Sequence, residues 1–238
     1  MHRKTSKTMI ISELSPQNEG DIDFLKTMML QSKIAGADAV KVQLYDSIDL
    51  LGSDKKKYCE ITYKELEVLK KYADNISIEL FASVFDFQRL LWVQKLDLPY
   101  QKIASKVHKN NPILCNKIID TGKVTFISNG LNQNDFEYSN NDNIVYFYCV
   151  ANYPTCIEDI TMPDFRRHKY YQGFSDHTFG LTAAKTAIVR GAKFIEKHFT
   201  LSRGMQSSTN KAHYGSMTMQ DLIELRSFAN DFARMKID

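Results

Sequence analysis

Two histidines, His177 and His198, stand 21 positions apart, and each closes a short apolar segment, GFSDHT from Gly173 and KFIEKH from Lys193. Between them Leu181, Ala184, Ala187 and Ile188 recur at helical spacing. A strand ending in a reactive residue, a crossover helix and a second such strand is the pattern of neighbouring strands in a parallel barrel, whose C-terminal mouth carries the chemistry. Imidazole nitrogens at that mouth suit a divalent ion, with Asp176 and Glu196 beside them to orient the ligands or supply charge. Glu196 and His198 fall on the same side of their strand. Histidines hydrogen-bonded in an ordinary core, or acting without metal, give the same pattern from this stretch alone.

A second set of residues has the chemistry of an anion site. Lys41 and Lys102 lie at the ends of two other strand-like runs, and Ser83, Ser105, Ser128 and Ser175 offer hydroxyls at further ends. Ammonium and hydroxyl donors converging on one cleft can hold a phosphate while leaving its carbon skeleton exposed. Gln43 shares a face with Lys41, and two such residues in succession on an inward face call for a polar cavity. Surface lysines and serines that merely terminate strands are the alternative. Glu13, closing TMIISEL, serves either as proton acceptor or sugar-hydroxyl ligand, or as half of a structural ion pair. Tyr153, held before Pro154 in NYPT, has a phenol able to pack against a polyol or hydrogen-bond to it. Neither a P-loop nor a dinucleotide-binding glycine pattern is present.

These residues need a frame that brings strand ends together. Eight strand-like runs alternate with helical or shortened connections, which predicts a TIM (β/α)8 barrel in a single domain over 1–238, in preference to an open doubly wound sheet. Asp21 is placed to cap the first helix, and Thr62 with Glu65 and Thr218 with Asp221 form capping boxes for two others. A helix is expected to start near Asn111 and Pro112, and a short one over Pro163 to Arg167. NQNDFEYSNNDN after the fifth strand is poor in helix formers, so the outer helix there should be reduced to a turn or missing. The polar 202–216 loop is the candidate mobile cover.

The composition sets outer bounds. A chain of 238 residues with 43% hydrophobic content can bury a large core, and 31 Lys plus Arg against 28 Asp plus Glu is an ordinary surface charge that does not suggest nucleic acid as a partner. The basic MHRKTSKTMI start leads into no long apolar segment, so neither a secretory signal nor a membrane anchor is expected and the cytoplasm is the default. Cysteines 59, 115, 149 and 156 lack CxxC spacing and read as reduced thiols.

With those residues placed, the chain resembles the N-acetylneuraminate (sialic acid) synthase family over its barrel portion. The likeness rests on ISEL with Asn18 and Gly20, GADAVKVQ, FASVFD, QKIAS, FISNG, YCVANYPT, GFSDHT and GAKFIEKHFTLSR in order, the last two together being the most specific. The resemblance implies condensation of phosphoenolpyruvate with an aldose or amino-sugar to give a 2-keto-3-deoxy sugar acid and phosphate. It implies that His177 and His198 bind manganese or magnesium with Glu196 in support. Lys41, Gln43, Ser83, Lys102, Ser105 and Ser128 match the phosphoenolpyruvate neighbourhood, Ser175 and Tyr153 lie near the reacting ligands, and Glu13 matches an acidic residue near the amino-sugar. A homodimer is implied as well.

The departures lie on the sugar side. Lys106 and Val107 stand where the family commonly has glycine and glutamate, and Asn210, Lys211 and Ala212 where it has glycine, proline and aspartate. Gln17, Asn18 and Glu19 replace a familiar asparagine and histidine, and Ala151 another asparagine. Family members usually carry a small C-terminal antifreeze-like domain not found in these 238 residues; either a separate domain or subunit completes the sugar site, or the acceptor differs. A divergent synthase is the reading favoured; a different metal-dependent lyase or hydrolase, and a non-catalytic subunit that binds a partner, are the other two.

Overall fold

Strands of three to six residues, largely apolar on both faces, build a sheet buried on both sides, and this is what the chain forms. The computed structural model describes residues 7–133, 135–204 and 213–235. Eight parallel strands, β1 (Met9–Glu13), β2 (Ala39–Leu44), β3 (Glu79–Val84), β4 (Gln101–Ile103), β5 (Thr125–Ser128), β6 (Ile144–Tyr148), β7 (Tyr171–Asp176) and β8 (Phe194–His198), pair in sequence order and close into a barrel. Closure is made by β1 and β8, in register from Met9 opposite Phe194 to Glu13 opposite His198.

Alternation along each strand divides the core in two. Ile10, Val40, Val42, Leu80, Ile103, Ile127, Phe174 and Ile195 point outward to the helices. Ile11, Ala39, Phe81, Phe126, Val145 and Phe147 fill the barrel itself, with Phe126 stacked edge-on or tilted against Phe81 and Phe147 at 5.6 and 5.3 Å. This aromatic plug is a floor, and the inward residues one step further toward the C-terminal strand ends stand on it. The registers Glu13 to Lys41, Gln43 to Ser83 and Ser83 to Lys102 set those residues in one ring.

The outer layer comprises α1 (Ile22–Ile34), α2 (Ser47–Leu51), α3 (Tyr63–Asn75), α4 (Phe87–Lys95), α5 (Ser105–Asn110), α6 (Pro112–Ile119), α7 (Thr182–Val189) and α8 (Met219–Arg234). Asp21 caps α1 through its carboxylate, and both expected capping boxes, Thr62 with Glu65 and Thr218 with Asp221, are closed. Arg226 of α8 ties the bottom of the barrel, donating to the Gly36 and Thr8 carbonyls and pairing with Asp38. Between β5 and β6 the described residues hold turns and no helix, as the asparagine-rich sequence predicts.

The lysine-rich stretch after β2 carries α2 and a 3-10 turn at Lys57–Cys59. Two connections differ from the sequence expectation. The helix expected to start near Asn111 and Pro112 does so as α6, capped by Asn111, but an unexpected helix, α5, precedes it from Ser105, with Val107 buried in the outer core. Pro163 to Arg167 does not make a helix: Asp164 closes a single turn by accepting the Arg167 and His168 N–H groups, and the chain enters β7 too soon for that nucleus to be extended. A 3-10 turn lies instead at Ile157–Asp159. Of the expected cover loop, residues 205–212 lie outside the described residues, and with them Asn210, Lys211 and Ala212.

Candidate active site

Strand-end side chains facing inward must converge, because eight C-terminal ends open on one mouth. A cavity there is lined by Glu13, Lys41, Gln43, Ser83, Lys102, Ser105, Ser128, Tyr153, His177, Glu196 and His198, with Ala104 and Cys149 completing the wall. Ser175 stands immediately behind, its Oγ 3.3 Å from Ser128 Oγ and 3.5 Å from Glu196 Oε1. The structure therefore brings these twelve sequence-proposed residues together.

Four charges alternate through the cavity floor. Glu13 pairs with Lys41, Lys41 Nζ lies 3.5 Å from Glu196 Oε1, and Glu196 Oε2 lies 3.1 Å from Lys102 Nζ. Lys41 also donates to Ser83 Oγ at 2.8 Å, while Glu13 accepts from the Ser15 N–H at 2.8 Å. Burial disfavours every one of these charges, and the neighbours decide the outcome. For Glu196, burial is outweighed by the two ammonium groups, which bring its pKa down to about 2. At Glu13 burial wins and the pKa lies above the ordinary value, whereas the two carboxylates hold that of Lys41 up against burial. Burial pulls Lys102 down. Its Nζ pairs with Glu196 and lies 4.1 Å from the Phe147 ring centroid, which leaves the rest of its donor capacity unspent among the described residues. A buried ammonium with donors unspent, facing four serine hydroxyls, is a place for an anion.

Opposite these groups are the histidines. His177 Nδ1 donates to the Val150 carbonyl at 2.9 Å, which leaves the lone pair on Nε2, and burial lowers its pKa to about 4. His198 is likewise lowered well below the ordinary value, first by burial and then by His213 and His177. The two rings stand 5.9 Å apart. Both are neutral at pH 7, the form that ligates a cation. Among the described residues no three His, Cys, Asp or Glu side chains gather into a ligand set; His177 and His198 are the neutral imidazoles at the cavity that could take part in one completed by ligand oxygens.

Asp176 stands behind the cavity, close enough for its charge to act on His177. Inward Ser175 and His177 force the residue between them outward, where its carboxylate binds Lys197 Nζ at 3.0 Å and the Thr178 N–H at 2.8 Å. That buried pair joins the ends of β7 and β8 behind the site and does not line it. Sequence reasoning missed His213, which stacks on His198 with ring centroids 3.6 Å apart and 5° between planes, and meets Tyr153 edge-on at 4.7 Å. Its pKa is lowered to about 3, chiefly by burial. His213 belongs to no strand, so periodicity could not place it; the usable signal was a histidine two residues before a glycine that permits close packing. A Cβ at Gly215 would sit 2.4 Å from the Thr178 carbonyl oxygen.

On the side where Lys106 and Val107 replace glycine and glutamate, Val107 is turned into the outer core and Lys106 donates to the Leu50 carbonyl at 2.6 Å. Neither supplies a group to the cavity.

Residues 28–236 match the NeuB family. The chain belongs to that family. Among its relatives, the uncharacterized protein MJ1065 of Methanocaldococcus jannaschii is 33% identical over 222 residues, covering 85% of this chain and 65% of that protein. The pseudaminic acid synthase of Campylobacter jejuni is 29% identical, covering 86% and 68%. The chain thus spans about two thirds of the length of these relatives. The crystal structure of an N-acetylneuraminic acid synthetase from Leptospira borgpetersenii superposes with a TM-score of 0.87 at 24% identity over 97% of this chain and 85% of that one, a likeness of fold.

Proposed function

We propose that this NeuB-family chain condenses phosphoenolpyruvate with an open-chain aldose or amino-sugar, forming a 2-keto-3-deoxy sugar acid and inorganic phosphate. The observation that carries the reading is a single buried cavity with an anion-binding half, Lys41, Lys102 and the serines, facing two neutral histidines across Glu196. The sialic and pseudaminic acid synthases named among its relatives support the reaction class.

In this reading Lys41 and Lys102 bind the phosphate and carboxylate of phosphoenolpyruvate, and Ser83, Ser105, Ser128 and Ser175 fix its orientation. His177 and His198 would hold manganese or magnesium, which supplies Lewis-acid polarisation of the sugar aldehyde. The methylene carbon of phosphoenolpyruvate bonds to the aldehyde carbon, whose oxygen takes a proton. Water then adds at the carbon that bears the phosphate, losing a proton, and as the carbon–oxygen bond to phosphate breaks the new hydroxyl becomes the keto group and its proton passes to the departing phosphate. Glu13, with its raised pKa beside Lys41, is the group for proton exchange on the sugar side. Tyr153 packs at 4.1 Å on His177 and presents the wall against which a polyol lies. A partner subunit or further domain would complete the sugar side, where the cavity has no acidic contact from Val107.

The test is phosphate release with phosphoenolpyruvate and manganese over a panel of aldoses, with products weighed by mass spectrometry. An aldose-dependent product of the condensed mass establishes the reaction and names the acceptor. Turnover of a sugar without phosphoenolpyruvate would replace the synthase reading with a lyase or hydrolase. No turnover by a protein that binds manganese and phosphoenolpyruvate would favour a non-catalytic subunit.

A further inference from the structure

The two histidines facing the cavity are oriented by different means. A histidine that ligates a metal usually gives its other ring nitrogen to a carboxylate, a carbonyl or water, which fixes the plane of the ring. His177 follows that rule through the Val150 carbonyl. His198 does not: its Nδ1 has no hydrogen-bond partner among the described residues. What it has instead is a ring laid flat on its face, that of His213, 3.6 Å away with 5° between the planes, and the edge of Tyr153 at 6.2 Å. Rotation of the His198 ring about its Cβ–Cγ bond would drive it into the His213 ring.

The backbone under His213 is built to keep that ring in place. Its carbonyl accepts from both the Ser216 N–H at 2.8 Å and the Ser216 hydroxyl at 2.6 Å. Gly215 lets the segment approach the Thr178 carbonyl more closely than any side chain would allow. Two residues on, Met217 donates its N–H to the His198 carbonyl at 2.8 Å. The segment carrying His213 is therefore pinned to the same strand end whose side chain it covers.

From this geometry we infer that His213 is a positioning residue: its ring, through stacking, sets the plane of His198 for cation binding. The inference rests on the metal reading of His177 and His198 proposed above, and its test separates the two. The readout is manganese affinity, followed by the electron paramagnetic resonance of free Mn(II), with circular dichroism and melting to verify the fold. Because His213 has φ +53, asparagine is the ringless substitution best suited to the left-handed backbone; His213→Leu is a second ringless variant, and His213→Phe keeps a flat ring without nitrogens.

Both ringless variants should weaken manganese binding about 10- to 100-fold, the range found when groups orienting a metal ligand are lost, while His213→Phe stays close to the wild type. Unchanged affinity in folded His213→Asn or His213→Leu would overturn the inference. So would a His213→Phe protein as weak as those two, since that result would make a nitrogen the working atom. If the wild type and His198→Ala bind manganese equally, the metal reading itself falls and this inference with it.

Discussion

Lys102 shows what a single buried charge does here. Its ammonium lies over the Phe147 ring and 3.1 Å from Glu196, with hydrogen-bonding capacity unused. In Lys102→Met the stem still packs on Phe147 and Glu196 keeps Lys41, so the barrel should fold while the anion site loses a charged donor. A hydrogen bond to a charged group contributes about 1.5–3 kcal/mol, so phosphoenolpyruvate affinity, measured by calorimetric titration, should fall by about tenfold or more. Equal affinity in the folded variant would remove Lys102 from the site. Such residues were legible in the sequence because strand alternation assigns each of them a side: Glu13, Lys41, Gln43 and Lys102 follow from counting by two. The same count turns Asp176 away from the cavity, to where its carboxylate holds Lys197. His213 escaped because its position depends on a loop packing against two strand ends, and no local period records that.

The elements that hold the site differ in how much of themselves they reveal. Capping boxes are local chemistry, and Thr62 with Glu65 and Thr218 with Asp221 could be read directly. The missing helix between β5 and β6 was legible for the same reason, since asparagine and serine compete with a helical backbone for hydrogen bonds. The α5 turn was not: Ser105 reads as a strand end, and the Asn111–Pro112 start signal draws attention past Val107, whose burial depends on the outer core. Segment 213–217 is the least local of these elements, and Gly215 is where it can be tested. In Gly215→Ala the new methyl meets the Thr178 and His177 carbonyls at 2.4 and 2.9 Å, backbone atoms that cannot rotate away. Overpacking of this kind costs about 1–3 kcal/mol. The segment should shift instead of the strand, so melting temperature falls and manganese affinity falls with it as His213 leaves His198. A variant with wild-type melting and metal affinity would show that the close approach is dispensable.

At the scale of the whole molecule, closure could not be read from alternating strands and helices, because an open sheet alternates in the same way; it depends on β8 pairing with β1, residues far apart in the chain. That closure buries the site, and burial gives the protein its response to acid. His177 and His213 have pKa values lowered to about 4 and 3, His198 is well below 6.5, and burial lowers His108 and His168 as well. An unfolded chain takes up protons on these imidazoles near pH 6.5, whereas the folded one refuses them until the pH approaches each lowered value. The unfolded state therefore binds more protons in that window, and stability, complete above about pH 6.5, is lost as the pH falls toward 4. Glu13, with its raised pKa, acts in the opposite sense as a single group, and Glu196, at about 2, titrates below the window. One fully shifted imidazole accounts for about 2 kcal/mol between pH 7 and 5, so the urea midpoint of the metal-free protein should drop over that interval at constant m. Manganese should widen the difference, since it binds the neutral rings and is released as the medium becomes acid. A midpoint that is flat or rises from pH 7 to 5 would mean that the histidines at the mouth are hydrated and free to protonate, and the low-dielectric cavity inferred from their surroundings would have to be given up.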